Sequence, residues 1–463
     1  MHDEMRRNMR RVFWLFVLLF ALAAGYLVKL AVFDARAVAS HPYNQRLGMA
    51  DADRRPGKVL DHNGIVLAES VPCDSGFLRE YPYGRAFSHI LGTRLSKTGA
   101  ETKYNFDLQT LDMEAWQRLD HLMTGRAVEG NTVVTTLDAG LQQAAYDALA
   151  ATGLRGAVIA VEPSTGRILA SVSAPDFPPD AAAEDWSALI ADDAASPLVN
   201  RAAQGLYAPG STFKLLVAAA ALEAGLDDFT LDCTGKAPFG ATVMNCINGK
   251  AHGHMTLEAA MAQSCNVYFA ALGEQLGAKA LRDMAERFGF NGSSAYPLEY
   301  SISTFPLSED AAREELIETA IGQGRTLATP LQMVMTVSAI ANGGVQMNPY
   351  ILDSVQTRDT RVVEKLMPAT TGTVVSPEVA ARLCAMLEGV VAMGTGRPAQ
   401  IDGIAVAGKT GTAQNETGSD HSWFVGFAPA EQPAIAVAVI LEGTGGGTAA
   451  TALAGKIMKA WIQ

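Results

Sequence analysis

Ser211 and Lys214 are the residues of this sequence whose types and spacing most directly suggest chemistry. The serine stands three residues before the lysine, directly after Ala208-Pro209-Gly210 and at the start of an alanine-rich stretch, Leu215 to Ala224. Residues three apart share one face of a helix, and a helix N-terminus exposes backbone donors. A lysine beside a serine can take its proton, so the pair predicts acyl transfer from a nucleophilic serine.

Two further elements extend this chemistry. Ser264-Cys265-Asn266 precedes the helical stretch Val267 to Leu272, and Lys409-Thr410-Gly411-Thr412 follows the apolar run Ile404 to Ala407. Each element alone also has a structural interpretation, as a helix cap or as a solvated charge on an edge strand. All three in this order are typical of serine acyl enzymes.

The surrounding sequence predicts the elements that must position these residues. Residues 156–161 and 167–172 flank a Pro-Ser-Thr-Gly turn and predict one antiparallel strand pair, and residues 422–427 and 434–440 predict a second. Between them, residues 211–341 read as largely helical. Strands from both ends of a region with a helical insertion predict one α/β sandwich.

Together these elements resemble the penicillin-binding proteins, specifically the monofunctional class B transpeptidases, over nearly the whole chain. Further segments carry the same resemblance: Arg55-Pro56-Gly57, Asp61-His62-Asn63-Gly64, Tyr81-Pro82-Tyr83-Gly84, Thr135-Thr136-Leu137-Asp138, Gly322-Gln323-Gly324, Gly394-Thr395-Gly396 and His421-Ser422-Trp423-Phe424-Val425-Gly426. No segment looks like a glycosyltransferase domain.

The resemblance implies a penicillin-binding transpeptidase fold, an antiparallel sheet flanked by helices with a helical subdomain. An N-terminal transmembrane helix and a small β-rich stalk domain would precede it. The expected division is a cytoplasmic tail at 1–11, an anchor at 12–33, a stalk at 34–150 and a transpeptidase domain at 151–463.

The resemblance also implies roles for the catalytic residues. Lys214, with a lowered pKa, would act as the base, and Ser211 would attack the penultimate D-Ala carbonyl of a D-Ala-D-Ala stem peptide. The backbone N–H groups of Ser211 and Thr412 would form the oxyanion hole, and Ser264 would relay a proton to the leaving D-Ala. β-Lactams would mimic the substrate and trap Ser211 as an acyl-enzyme.

The remaining site residues are expected to bind substrate. Asn266 would hold the substrate amide, and Lys409 with the hydroxyls of Thr410 and Thr412, spaced by Gly411, would bind the terminal carboxylate. Trp423 and Phe424 are interpreted as core residues. No cofactor is required for this chemistry.

Cys233, Cys246, His252 and Cys265 form a possible metal site, with gaps of twelve, five and twelve residues. Three thiols and an imidazole are a common tetrahedral zinc set, and four protein ligands would make the ion structural. Some class B relatives resemble this chain in carrying a Cys/His/Asp cluster at this place. A Cys233–Cys246 disulfide, favoured outside the cytoplasm, and ordinary buried thiols stay open, and His254 is a rival to His252.

The N-terminus predicts a membrane anchor. Arg6, Arg7, Arg10 and Arg11 precede seventeen uncharged residues, Val12 to Val28, and Leu30 to Phe33 continue the apolar run. This reaches the length of a spanning helix, and the arginines would keep the N-terminus cytoplasmic and the catalytic domain outside. A cleavable signal peptide is the alternative.

Composition and context bound the function further. A net charge of −12 over 463 residues argues against nucleic-acid binding. The leading hypothesis is a cell-wall D,D-transpeptidase, and its expected partner, implied by the resemblance, is a SEDS-family lipid-II polymerase. A D,D-carboxypeptidase, a β-lactamase and a non-catalytic scaffold of the cell-wall machinery are the alternatives.

Overall fold

The computed structural model describes residues 2–32, 54–73, 76–93, 98–110, 123–124, 128–180, 182–240, 242–414 and 418–463. The strands are β1 Arg54–Arg55, β2 Val59–Leu60, β3 Val66–Cys73, β4 Gly76–Glu80, β5 Val128–Glu129, β6 Thr132–Thr135, β7 Gly156–Val161, β8 Ile168–Ala174, β9 Leu231–Cys233, β10 Lys236–Phe239, β11 Thr242–Asn245, β12 Gly253–Met255, β13 Val345–Met347, β14 Leu352–Gln356, β15 Val362–Lys365, β16 Thr370–Thr373, β17 Ala407–Ala413, β18 His421–Ala428 and β19 Ile435–Leu441. The helices are α1 His2–Val32, α2 Ser88–Leu91, α3 Gly99–Lys103, α4 Asn105–Gln109, α5 Ala139–Ala150, α6 Ala182–Ala191, α7 Lys214–Glu223, α8 Leu257–Gln263, α9 Asn266–Arg287, α10 Arg313–Ala320, α11 Pro330–Ala341, α12 Pro377–Ala392 and α13 Ala449–Ile462.

A five-stranded antiparallel sheet forms the centre of the C-terminal region, in the order β17-β18-β19-β7-β8. Both predicted strand pairs are present, and β19 joins them by pairing with β7. Because β17 is an edge strand, one of its sides is free to face a neighbouring element or a ligand. This edge carries residues 409–412 of the predicted site.

Helices cover both faces of this sheet. α5 and α13 pack on one face and α11 on the other, so β7 and β19 are buried along their whole length. Strands buried on both faces read as continuous apolar runs rather than as alternating ones. Asp138 caps the N-terminus of α5, because its carboxylate accepts a hydrogen bond of 2.7 Å from the Leu141 N–H.

The helical subdomain contains α7 to α11. Four short strands, β9 to β12, interrupt it between Leu231 and Met255 and pair as β9 with β12 and β10 with β11. The prediction of a largely helical stretch did not include them. Strands of three or four residues are too short for their alternation to stand out in the sequence.

A six-stranded sheet of order β15-β14-β6-β2-β3-β4 forms the region before the central sheet. β2 and β3 form an antiparallel hairpin around the turn that contains Asn63 and Gly64. Two strands of this sheet, β14 and β15, come from residues far along the chain, and α5 packs on the central sheet. The division between residues 150 and 151 stays a prediction.

The N-terminal helix α1 stands apart in composition. The most apolar stretch of 18 residues within Glu4–Leu30 has a mean hydropathy of 2.2, and none of that stretch is buried within the protein. Among the described residues this is the one helix long and apolar enough to cross a membrane. Residues 33–53 of the predicted anchor and stalk lie outside the described residues.

Candidate active site

Ser211 lies in a single 3-10 turn, Gly210–Thr212, that leads directly into α7. Gly210 has a φ of +53°, and a Cβ on it would lie 2.4 Å from the Thr412 carbonyl oxygen. Gly322, with a φ of +79°, approaches even more closely, since its Cβ would lie 1.9 Å from the Gly210 oxygen. The turn therefore fits against β17 because two glycines leave room for it.

Lys214 is the first residue of α7 and is fully buried. Its Nζ donates to the Ser264 carbonyl oxygen at 2.9 Å, to Ser264 Oγ at 3.3 Å and to Asn266 Oδ1 at 2.7 Å. Among the described residues, no hydrogen bond joins Lys214 to Ser211. Burial lowers the pKa of Lys214 to about 7, and negative charge on the sulfur atoms of Cys265 and Cys246 opposes this shift. Lys214 is thus able to lose its proton near neutral pH.

Ser264 lies at the junction of α8 and α9 in the left-handed conformation, with φ 55° and ψ 43°. This conformation is costly for a residue other than glycine and is enriched at functional sites. Lys409 Nζ donates to Ser264 Oγ at 2.9 Å, so both buried lysines meet at this one hydroxyl. The junction therefore holds Ser264 in a position to pass a proton between neighbouring groups.

Lys409 is fully buried on the edge strand β17. Burial lowers its pKa well below the ordinary value, and the positive charge of Lys214 lowers it further. Mutual repulsion disfavours the state in which both lysines carry a charge. A carboxylate arriving beside Lys409 would favour its charged form again, because opposite charges stabilise each other.

The rest of the predicted substrate strand is held by close packing. A Cβ on Gly411 would lie 2.9 Å from both Thr212 Cγ2 and Trp423 Cβ. Trp423 is fully buried, as predicted, and its Nε1 donates to the Ala208 carbonyl oxygen at 3.1 Å. Phe424 is also fully buried, as predicted. Gly411 is therefore required by this packing, in which the tryptophan braces the nucleophile turn.

Two residues near the site had no predicted role. Gln323 Nε2 donates to the Thr412 carbonyl oxygen at 3.2 Å, while the Gly322 oxygen accepts from the Gly210 N–H at 2.9 Å. Thr395 Oγ1 lies 2.6 Å from Thr410 Oγ1 and makes a hydroxyl pair with it. In the sequence, each of these residues stands between two glycines, but this pattern does not predict which group the side chain hydrogen-bonds.

The cysteine cluster lies behind Ser264. The ligand atoms of Cys233, Cys246, His252 and Cys265 all lie within 4.8 Å of one another. His254 is not part of it, since it is exposed and pairs with Asp232 at 3.0 Å. Cys233, Cys246 and Cys265 all lie within the described residues as thiols, and no disulfide joins Cys233 to Cys246.

Two walls enclose a cleft of about 760 Å³ at the site. We call β17, the nucleophile turn and residues 322–324 the sheet wall. The cysteine wall is the segment Leu231–Met255, whose Asn245 carbonyl oxygen accepts from Asn266 Nδ2 at 3.0 Å. Lys214, the first residue of α7, contacts Ser264 and Asn266. The predicted catalytic residues therefore meet where the two walls come together.

Comparison with known families identifies both parts of the chain. The penicillin binding protein transpeptidase domain matches residues 156–459, and the penicillin binding protein A dimerisation domain matches residues 56–133. The first match contains the nucleophile turn, both lysines and the cysteine wall. The second covers most of the described residues of the predicted stalk.

Individual relatives agree with these matches. The peptidoglycan D,D-transpeptidase PbpA of Mycolicibacterium smegmatis is 37% identical over 99% of this chain and 98% of its own length. The structure of penicillin-binding protein A from Mycobacterium tuberculosis as a ceftriaxone acyl-enzyme superposes with a TM-score of 0.82, at 34% identity over 89% of this chain and 99% of that one. A D,D-transpeptidase domain from Eggerthella lenta gives a TM-score of 0.81, at 37% identity over 89% of this chain and 98% of that one. The predicted fold is therefore confirmed, and the chain belongs to the class B penicillin-binding proteins.

Proposed function

We propose that this chain cross-links peptidoglycan as a serine D,D-transpeptidase, with Ser211 as its nucleophile, and that β-lactams inhibit it by acylating that serine. One observation carries the assignment of residues: two buried lysines, Lys214 and Lys409, converge on the hydroxyl of Ser264 beside the turn that carries Ser211. The relatives named D,D-transpeptidase, and the β-lactam acyl-enzyme of one of them, support the reaction class.

Acylation follows from these positions. Ser211 Oγ attacks the penultimate D-Ala carbonyl of the donor stem peptide while neutral Lys214 takes the hydroxyl proton. The proton then passes through Ser264 to the departing nitrogen, the C–N bond breaks, and D-Ala leaves. A pKa near 7 suits Lys214 to both accepting and returning this proton.

The backbone N–H groups of Ser211 and Thr412 are the proposed oxyanion hole. In an antiparallel strand the N–H and C=O of one residue point to the same side. Because the Thr412 carbonyl accepts from Gln323 across the free edge of β17, its N–H also faces that edge, on the side of Ser211. Donors fixed in this way stabilise the developing oxyanion without reorganisation.

The donor substrate is held by the remaining site residues. Lys409 and the hydroxyls of Thr410 and Thr412 bind the terminal carboxylate, and Asn266 binds the substrate amide. Burial and the nearby charge of Lys214 lower the pKa of Lys409, and an incoming carboxylate opposes this shift because it favours the charged form of the lysine.

Labelling with a fluorescent penicillin tests the proposal. Wild-type protein is expected to label, and Ser211→Ala is expected to lose labelling while keeping the far-UV circular dichroism of wild type. If wild-type protein does not label, the proposed enzymatic function is contradicted, and the non-catalytic scaffold is the alternative that stays. Rapid release of the label would identify a β-lactamase, and hydrolysis of donor without transfer would identify a carboxypeptidase.

We further propose that Cys233, Cys246, His252 and Cys265 hold a structural zinc ion. Zinc binds sulfur at about 2.3 Å and histidine nitrogen at about 2.0 Å, so tetrahedral ligand atoms stand roughly 3.5–3.8 Å apart. The Sγ atoms of Cys233 and Cys246 are 3.6 Å apart, those of Cys246 and Cys265 are 3.7 Å apart, and Cys233 Sγ lies 3.5 Å from His252 Nδ1. These separations fit zinc and are far longer than a disulfide of about 2.0 Å.

Elemental analysis of the purified full chain tests the metal. About one zinc per chain is expected, with three of the five thiols shielded from a thiol reagent until a chelator is added. One disulfide and no zinc would contradict the proposal. If bound, the ion would brace Cys265 and hence the backbone of Ser264, and it would take no part in the reaction.

The place of the enzyme in the cell is a further proposal. Helix α1 would anchor the chain with its arginine-rich end in the cytoplasm and the catalytic region outside. A SEDS-family lipid-II polymerase is the proposed membrane partner, contacted through α1 and the stalk, because a chain of this family cross-links strands made by another enzyme. Protease protection of the N-terminus in intact cells tests the topology, and co-purification with and without α1 tests the partner.

A further inference from the structure

The cleft carries two charged side chains on opposite walls, apart from the catalytic lysines that lie beneath its surface. Lys250 lies on the cysteine wall, and Asp420 lies just before β18, on the side of the sheet wall. Among the described lining residues, Asp420 is the one carboxylate. The acylation chemistry proposed above does not use the Asp420 carboxylate.

Asp420 lies beside the proposed carboxylate subsite. A Cβ built on Gly446 would lie 3.7 Å from Thr412 Oγ1 and 3.9 Å from Asp420 Oδ2, so both groups border the same small space. The backbone carbonyl of Asp420 accepts from Thr444 Oγ1 at 3.3 Å and from the Gly446 N–H at 3.4 Å. In the part of the chain that the structure describes, the carboxylate itself has no ion-pair partner, so it faces the cleft unneutralised.

The same side of the cleft is bordered by an open, glycine-rich loop. The loop after β19 contains Gly443, Gly445, Gly446 and Gly447, and a Cβ on Gly445 or Gly447 would meet nothing within 4 Å. This open loop borders Asp420 and the substrate strand rather than the cysteine wall.

The reaction requires the acceptor to use this side. After acylation, the acceptor nitrogen must reach the ester carbonyl from the direction in which the D-Ala nitrogen left, because the oxyanion hole keeps the carbonyl in place. The body of the acceptor therefore extends over Thr412 towards Asp420. An aliphatic amine is mostly an ammonium ion near neutral pH, and a nearby carboxylate attracts it.

Building on the proposed transpeptidase function, we propose that Asp420 is the acceptor-binding carboxylate, which recruits the cationic amine of the second stem peptide. The ammonium ion releases one proton to water before the attack. The neutral nitrogen then forms a C–N bond with the ester carbonyl, the bond to Ser211 Oγ breaks, and the second amine proton ends on Ser211 Oγ. Asp420 raises the local concentration of the amine and thereby favours transfer over hydrolysis.

The partition of one acyl-enzyme between transfer and hydrolysis tests this role. The full chain is supplied with a depsipeptide ester analogue of the donor and with D-lysine amide as cationic acceptor, and both products are quantified. Asp420→Asn is expected to lower the transfer-to-hydrolysis ratio about tenfold, and Asp420→Glu is expected to retain most of it. The ratio does not depend on how fast the acyl-enzyme forms, since both products come from it.

Two controls make the test specific. Glu431→Gln removes an exposed acid beyond the other end of β18 and is expected to leave the ratio unchanged. With hydroxylamine, an uncharged nucleophile, Asp420→Asn and wild type are expected to give equal ratios. Added salt should lower the wild-type ratio for D-lysine amide towards that of Asp420→Asn.

Each result has a distinct meaning. Equal transfer-to-hydrolysis ratios for wild type and Asp420→Asn with D-lysine amide overturn the acceptor role. A wild-type ratio that does not change with salt also overturns it, and this second test does not require the variant to fold. A wild type that forms no acyl-enzyme overturns the proposed function itself.

Discussion

The sheet wall and the cysteine wall enclose the same cleft but are held by different forces. The sheet wall rests on a buried five-stranded sheet, on backbone hydrogen bonds and on glycines that allow contacts closer than a side chain permits. The cysteine wall consists of strands of three or four residues and carries three of the four clustered side chains, Cys233, Cys246 and His252. The first wall is therefore built on an extended sheet and close packing, and the second on short strands beside one side-chain cluster.

The two walls meet at Lys214, which shows what their difference means for catalysis. Burial beneath the nucleophile turn lowers its pKa, whereas negative charge on Cys265, or on Cys246 of the cysteine wall, would raise it. The base is thus poised by opposing contributions from the two regions. Changes to either wall should affect acylation, but by different routes and to different extents.

The largest effect is expected from closing the gap in the sheet wall with Gly322→Ala. The new methyl group would overlap the Gly210 oxygen at 1.9 Å on a backbone with φ +79°, so the nucleophile turn must shift. We expect acylation by penicillin to slow at least about 100-fold, equivalent to about 2.7 kcal/mol. Stopped-flow or gel-based labelling rates measure this.

Gly225→Ala is the matched control, because its φ is +67° but nothing lies within 4 Å of the new methyl group. It bears the left-handed strain, of about 1–2 kcal/mol, without the clash. Equal acylation rates in the two variants would show that close approach at Gly322 is not what shapes the site.

The sequence predicts the reactive groups of both walls better than the contacts that hold them. Ser211, Lys214, Lys409 and the strand pairs of the central sheet follow from local spacing and from apolar runs. The left-handed φ of Ser264 does not, because serine rarely adopts this conformation and nothing in the local sequence indicates it. The fit of Gly322 against Gly210 joins residues more than a hundred positions apart, which no local pattern encodes.

The four short strands of the cysteine wall were missed for a related reason. Their residues form two two-stranded sheets beside the cluster, and strands of three or four residues are too short to show a clear alternation in the sequence. The cysteines and His252 were nevertheless recognisable, since their residue types carry metal-binding chemistry at any spacing that folding can close.

The pH dependence of acylation tests how Lys214 is poised. The neutral form is the active one, so the rate should rise with pH through the pKa of about 7. Between pH 6 and pH 8 the increase should be about tenfold, with a plateau above. Second-order acylation rates across this range provide the measurement, and a rate still climbing tenfold from pH 8 to pH 9 would contradict a lowered pKa.

Weakening the cysteine wall should cost less than deforming the sheet wall. Cys246→Ser replaces a thiol that lies between Cys233 and Cys265, and the adjacent Asn245 carbonyl would no longer hold Asn266 firmly. We expect a lower Tm and acylation slowed about fivefold, through loss of about 1 kcal/mol of positioning. Cys384→Ser is the control, a half-buried thiol outside the cluster, and equal changes in both variants would argue against a special role for the cluster.

The smallest effect is expected at Thr395, which supports the sheet wall through Thr410. Thr395→Val keeps the shape of the side chain but removes the hydroxyl pair of 2.6 Å, so the Thr410 hydroxyl loses its orientation. Acylation by a penicillin should slow about threefold, as expected for one neutral hydrogen bond in part replaced by water.

Thr371→Val removes a similar pair with Asn348 outside the cleft and should leave the rate unchanged. Because Thr410 is proposed to bind the carboxylate, a penicillin whose carboxylate is esterified should acylate Thr395→Val and wild type at the same rate. Equal slowing for both penicillins would instead mean that Thr395 maintains the fold of the wall and does not orient the carboxylate subsite.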